Sequence, residues 1–313
     1  YLKYSMGLLK RKKMIGLRNM FKEFNKYYGK FVQLPHKMGY ISDFDYRFYV
    51  IYNYIKITYF LWDESSDFIL NFVPRRIQKY LLPKINSLEK KYLVVDKIVF
   101  YQNAIRHSLP VPETFFYTRD GKILTIDGLE VQRKDLAKYE GNLMFSKIVD
   151  GSAAVGARKE PFVLGNLDVS ENRIYQAAMV THSDLLELSP TKALNCIKIS
   201  SYYTNSGEVK IQLSFLKLGG VDSIVDNIGG KAGGGIAVPI DLSTGRLKGI
   251  GYKEVGKELR VSRIPTNKKI FEGFKVPFYQ ESVELVKKAH KEVFYELKHI
   301  GWDVGITDEG PVL

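Results

Sequence analysis

Phe145-Ser146-Lys147, followed closely by Gly151-Ser152-Ala153-Ala154-Val155-Gly156, is the stretch on which the reading of this chain turns. The lysine closes an apolar run, Asn142 to Lys147, that reads as a strand, and a small-residue loop comes next. A lysine at a strand end supplies a point charge, and a Gly/Ser/Ala loop can present backbone N–H groups to phosphate oxygens. The order of parts is not that of the Walker loop, where the lysine follows the glycines and opens a helix. Taken alone, the stretch reads either as a phosphate loop or as an ordinary hairpin.

Two segments far along the chain bear on that choice. Leu93-Val94-Val95-Asp96-Lys97 leads into a helix expected over Asp96–His107, with Asp96 as N-cap and a stop before Pro110-Val111-Pro112. Gly301-Trp302-Asp303-Val304-Gly305-Ile306-Thr307 alternates, so Asp303 projects opposite Trp302, Val304 and Ile306. With those three in the core, Asp303 faces a cleft, where a carboxylate can ligate Mg²⁺ beside phosphates. The other reading of Asp303 is a surface strand aspartate.

Between these segments the texture is short strands, glycine turns and isolated helices. Strands are expected at Thr114–Tyr117 and Lys122–Ile126 around an Asp120-Gly121 turn, at Pro161–Leu164, at Ala193–Tyr203, and at Val209–Lys217 after a Ser206-Gly207 turn. Gly219 to Gly235 is dense in glycine, and a helix is expected over Glu281–Ile300, leading into Trp302–Thr307. Frequent hairpins with irregular alternation of helix and strand argue an α+β fold rather than a doubly wound parallel sheet.

Charge divides the chain. Residues 1–92 hold 18 Lys and Arg against 7 Asp and Glu, and 21 of the 41 aromatic residues; the remaining residues are nearly balanced, at 29 against 27, within a net charge of +13. The N-terminal piece reads as helical, with a basic amphipathic helix over 8–28 and further helices near 43–62 and 67–82, the last with Pro74 near its middle. Such a face suits a solvated helical subdomain, an anionic membrane surface or glycan, or nucleic acid, the last disfavoured because no RNA- or DNA-reading motif is present. The single cysteine, Cys196, rules out an intramolecular disulfide; it lies in an apolar run and reads as a packing residue. The most apolar stretch, 48–62, is too short and too polar to span a bilayer. No signal peptide is evident, and the expectation is a cytoplasmic protein that can sit peripherally at the inner face of the membrane. The first residue is Tyr1 rather than Met, so the sequence is expected to lack its true start.

The Asp96-Lys97 helix with its Pro-Val-Pro exit, the Lys147 strand with its loop, and the Gly301–Thr307 strand running to Gly310-Pro311-Val312-Leu313 resemble the ATP-grasp superfamily. Within it, the nearest likeness is to the sugar-transfer-associated proteins of bacterial polysaccharide loci. Further matches are Thr181-His182-Ser183-Asp184-Leu185, Asn195-Cys196-Ile197-Lys198, Val225-Asp226-Asn227 before Gly229-Gly230, and Pro239 with Asp241 and Thr244-Gly245. After the basic helical region 1–92 set apart by its charge, the resemblance implies an N-terminal ATP-grasp lobe 93–180 and a C-terminal lobe 181–313 truncated at its end. The family continues beyond Gly-Pro-x-Leu with a glutamate and an asparagine that complete the metal site.

By that resemblance ATP lies between two α+β lobes. Lys97 and Lys147 match the lysines that meet its phosphates, and Gly151, Ser152 and Gly156 belong to the loop that closes over them. Gln176 stands in a hinge where the family usually places a carboxylate for the ribose. Lys198 and Lys217 stand where the group has arginine, Asn227 matches a site asparagine, and Asp303 matches the first Mg²⁺ carboxylate. His182 is expected to be structural. The activity implied is a carboxylate–amine ligase working through an acyl phosphate on a small or lipid-linked sugar acid and an amine, in making a surface polysaccharide or capsule. A kinase for a hydroxyl, or a non-catalytic nucleotide-binding partner of a glycosyltransferase, remains open.

Overall fold

The computed structural model describes residues 85–151, 156–204, 206–228, 235–253 and 260–313. The expected N-terminal helices and Ser152 lie outside the described residues. The chain enters through α1 (Tyr92–Val95) and α2 (Lys97–Arg106). Asp96 caps α2 as its sequence predicts, accepting hydrogen bonds from the backbone N–H groups of Ile98 at 2.8 Å and Val99 at 3.2 Å. Its second oxygen takes an ion pair from Arg119 at 2.7 Å. The buried face of α2 is Ile98, Tyr101 and Ala104, while Ile105 is exposed.

An antiparallel five-stranded sheet follows, in the order β2-β1-β5-β3-β4. Its strands are β1 (Thr114–Arg119), β2 (Lys122–Leu124), β3 (Leu143–Ile148), β4 (Arg158–Pro161) and β5 (Arg173–Ala177). The β1–β2 hairpin turns at Asp120 and Gly121, both at positive φ (52° and 77°), the backbone that a two-residue hairpin demands. One core of this sheet is aromatic, with Phe116 stacked on Tyr175 at 4.4 Å and edge-on to Phe162. The strand expected at Pro161–Leu164 is instead β4, Arg158–Pro161. As an edge strand it is polar and largely exposed, so it carries no apolar pattern, and Phe162 just after it packs into the core.

The second sheet has seven antiparallel strands in the order β10-β9-β8-β7-β6-β11-β12. These are β6 (Cys196–Tyr203), β7 (Val209–Leu218), β8 (Ile236–Pro239), β9 (Gly251–Tyr252), β10 (Arg260–Val261), β11 (His299–Thr307) and β12 (Gly310–Val312). The short α3 (Ser183–Leu188) precedes β6, and α4 (Tyr279–Glu292) packs on one face of the sheet. Ile197, Ile199, Leu216, Val238, Val304 and Ile306 meet Val286 and Ala289 there, all fully buried. Each such side chain contributes about 1.5–3 kcal/mol on leaving water. The expected α+β class and the alternation of β11 hold. The helix expected to run to Ile300 ends at Glu292: the chain turns through Val293–Lys298, and Ile300 belongs to β11. The apolar spacing of Phe294, Leu297 and Ile300 persists through that turn because all three enter the core.

Beneath α4 lies a buried polar chain. Trp302 Nε1 donates to Ser201 Oγ, Ser201 Oγ to His290 Nδ1, each at 2.7 Å, and His290 Nε2 donates to the Leu297 carbonyl at 2.7 Å. That pattern requires a neutral imidazole, and burial lowers the His290 pKa below its usual value. Above about pH 6.5 both folded and unfolded His290 are neutral; below it the unfolded chain takes the proton first, so stability falls with pH until the folded pKa is passed. Urea unfolding of the native chain should therefore lose stability between pH 6.5 and 5. His290→Gln should show a shallower slope there, at a cost of about 1–3 kcal/mol at pH 7.5. An unchanged slope would rule out this coupling.

Candidate nucleotide site

Between the two sheets lies a cavity of about 520 Å³. One wall comes from α2, β3 and β4 through Lys97, Tyr101, Lys147 and Lys159; the hinge Gln176–Met179 lines it at the side; the far wall carries Cys196, Lys217, Asp226, Asn227 and Asp303. Of the residues singled out in the sequence, Lys97, Lys147, Gly151, Gln176, Lys217, Asn227 and Asp303 thus meet around one space. Lys198 and Gly156 are not among its lining residues.

Lys97 is the first residue of α2, which aims it at the turn after β3. Its ammonium donates to the carbonyls of Val149 at 2.8 Å and Gly151 at 2.6 Å, pinning the near stem of the small-residue loop. The far stem is held by Arg173, a fully buried side chain that donates to the Gly156 carbonyl at 2.7 Å and to Ser146 Oγ at 3.2 Å. Gly156 has φ +71°, a left-handed backbone that favours glycine. Lys147 donates to Tyr101 Oη at 2.8 Å and stands 4.9 Å from the centre of that ring. Burial, and then the Lys147 charge, lower the Lys97 pKa. Two ammonium groups at one wall, with no carboxylate bonded to either among the described residues, leave positive potential facing the cavity.

The opposite wall is an ion cluster on the seven-stranded sheet. Lys217, 12% exposed, lies 2.9 Å from Asp303 Oδ1 and 3.0 Å from Asp226 Oδ2. Asp303 keeps 52% of its side chain open and is also paired with Lys198 at 3.3 Å. Burial alone would lower Lys217, but Asp303 and the neighbouring groups outweigh it and its pKa rises. Burial raises Asp226 despite the lysine beside it, whereas for Asp303 the two lysines outweigh burial and its carboxyl lies below the usual range. Lys198 thus lies beyond Asp303, bonded to it and to the Gly301 carbonyl at 3.3 Å.

Two placements change the sequence reading, and a third agrees with it. Cys196 is on the cavity floor rather than in the core, with a thiol that burial pushes well up and so keeps protonated. Gln176 is 1% exposed and its amide nitrogen donates to Thr114 Oγ1 at 3.0 Å. His182 caps α3, accepting from the Asp184 N–H at 3.1 Å, the structural use expected of it. Asp226, Tyr101, Arg173 and Lys159 are the groups that sequence reasoning passed over. For Asp226 the signal was present, since it adjoins Asn227; the others depend on strand pairings, or for Tyr101 on helix packing, that no local pattern displays.

No curated protein matches the chain. Among solved structures, a D-alanine–D-alanine ligase from Bacillus anthracis, complexed with ATP, aligns with TM-score 0.36 and 12% identity over 71% of this chain and 55% of its own. An N5-carboxyaminoimidazole ribonucleotide synthetase from Thermotoga maritima aligns with TM-score 0.34 and 11% identity over 70% of this chain and 40% of its own. The chain therefore spans about half, or less, of the length of each. The model of the family described as sugar-transfer associated ATP-grasp matches residues 161–313, a stretch that includes Gln176, Lys198, Lys217, Asn227 and Asp303, while Lys97, Lys147 and the small-residue loop precede it. The resemblance read from the motifs thus meets a family match over residues 161–313, which are similar to the sugar-transfer associated ATP-grasp family.

Proposed function

We propose that this protein is an ATP- and Mg²⁺-dependent carboxylate–amine ligase that works through an acyl phosphate and modifies a sugar acid destined for a surface polysaccharide. The observation that carries the reading is the opposition of two walls: Lys97 and Lys147 on one side, Lys217 with Asp226 and Asp303 on the other. A triphosphate between them fits the lysine pair, and the near loop stem at Gly151 borders the same space. Among the described residues, no three acidic, imidazole or thiol groups gather to hold a metal unaided. Mg²⁺ takes one or two protein carboxylates and completes its shell with phosphate oxygens and water, so the half-open Asp303 fits an ion that arrives with the nucleotide. When bound, the ion neutralises charge on the transferring phosphoryl group.

In this reading Lys97 and Lys147 grip the phosphates and stabilise charge on the phosphoryl group as a carboxylate oxygen attacks it and its bond to ADP breaks. Lys217 is held in place by two carboxylates, ready for the anion that forms. The amine then attacks the acyl carbon and phosphate leaves, a step that needs water excluded more than it needs a protein nucleophile. The basic segment 8–28 we assign, on its charge alone, to peripheral contact with an anionic membrane surface. The test is ADP release from ATP and Mg²⁺ with pooled sugar acids and amino acids, and hydroxylamine as trap. Acid-dependent ADP with a hydroxamate is the expected result. ADP without hydroxamate would replace the ligase by a kinase, and no ADP despite measurable ATP binding would replace it by a binding protein.

A further inference from the structure

The face of the seven-stranded sheet that carries Lys217 and Asp303 continues past the cavity. Strand register sets Lys198 opposite Asp303 and Phe215, then Ser200 opposite Gly301 and Leu213, then Tyr202 opposite His299. Side chains two apart share a face, so this surface reads, moving outward, Lys198 with Phe215, then Ser200 with Leu213, then His299. It is open: Leu213 is 42% exposed although it is a large aliphatic residue. Gly301 makes a shallow floor, since a Cβ there would lie 3.3 Å from Lys198 Cε. A register shift in β7 frees Gln212, whose Oε1 lies 3.2 Å from Ser200 Oγ and 3.1 Å from His299 Nε2. Ser200 and His299 are 2.8 Å apart. Asn86 fixes the start of β11, with its side chain bonded to both backbone groups of His299.

We propose that this surface is the acceptor site, taking a hydroxylated carboxylic acid with its carboxylate on Lys198 and its hydroxyls at Ser200, Gln212 and His299. The proposal deepens the ligase reading and rests on it only for the order of chemical events. Asp303 divides the two sites, with Lys217 on its cavity side and Lys198 on its outer side. An acid held at Lys198 therefore has its carboxylate beside the place where phosphoryl transfer occurs. The outer cluster is neutral, because burial lowers the His299 pKa. Among the described residues, His299 Nδ1 and Gln212 Nε2 have no hydrogen-bond partner, which leaves one ring nitrogen and one amide for ligand hydroxyls. Phe215 and Leu213 offer an apolar flank for the C–H face of a ring. A cation at Lys198, neutral hydrogen-bonding groups and an apolar flank match a polyhydroxylated acid. From Asp303 to His299 is about 13 Å of strand, which gives room for one sugar-sized ring.

The probe is D-glucuronate, with propionate as an acid lacking hydroxyls, titrated calorimetrically into the full chain and into Gln212→Ala and His299→Gln. Both positions are on the open face, so neither change disturbs the core, and ATP affinity within twofold of native confirms folding. Glucuronate is expected to bind the native chain more tightly than propionate and to weaken at least tenfold in each variant. Glucuronate that fails to bind, that binds no better than propionate, or that ignores both substitutions would overturn the proposal. Binding lost in the variants, but with no hydroxamate formed by the native enzyme, would uphold this site and sink the ligase reading instead.

Discussion

Lys217→Met is expected to cost about 3 kcal/mol of stability and to remove turnover. The lysine is 12% exposed and is the cation between two carboxylates, at 3.0 Å from Asp226 and 2.9 Å from Asp303. Taking one partner from a buried pair leaves the other uncompensated, at about 3–5 kcal/mol; the open side of Asp303, which Lys198 still pairs, places this case at the low end. Asp226, 12% exposed and with a carboxyl that burial already raises, has no such relief, and losing the lysine should raise it further. The double variant Lys217→Met with Asp226→Asn removes the stranded charge and should recover about 2 kcal/mol, since deleting both members of a buried pair is often near neutral. It should remain inactive, because the cation facing the cavity is still absent. Urea unfolding of the native chain, both single variants and the double variant measures the cycle. A single Lys217 variant as stable as the native chain would mean that the cluster adds nothing to the fold.

That cluster also marks what the sequence displays and what it conceals. Asp303 was legible because β11 alternates from Ile300 to Val304, with Ile300, Trp302 and Val304 buried and Gly301 and Asp303 exposed, so its face follows from geometry. Asp96 was legible as a cap for the same local reason. Its neighbour Tyr101 was not, since its contact with Lys147 joins residues 46 apart. Asp226 sits on an irregular loop, where no period says which way a side chain points. Arg173 lies where no strand was expected, and only the return of β5 beside β3 brings it under Gly156. The limits of α4 and β4 were misread for opposite reasons. The apolar spacing after Glu292 outlasts the helix, and the polar edge strand Arg158–Pro161 has no apolar period at all.

The cationic wall gives the second large effect: Lys147→Ala should lower kcat/KM for ATP by about a thousandfold while leaving the unfolding midpoint nearly unchanged. The magnitude is that of deleting one pre-positioned donor to transition-state charge, about 3–4 kcal/mol. The small effect on stability follows from its contacts. Lys147 bonds Tyr101 Oη and lies over that ring, with no carboxylate stranded when it goes, and the strand registry of β3 is set by backbone pairs. Tyr101 should matter less and differently. Tyr101→Phe keeps the ring beneath the ammonium but deletes the 2.8 Å bond that orients it. A loss of about tenfold is expected, borne mainly by kcat, because a loosely held cation still attracts ATP yet meets the transferring phosphoryl group less often. Steady-state kinetics on the two variants, with nucleotide affinity measured separately, distinguishes orientation from charge. Equal losses in both would assign Tyr101 to the fold of α2 rather than to the lysine, and full activity in Lys147→Ala would place the phosphates elsewhere in the cavity.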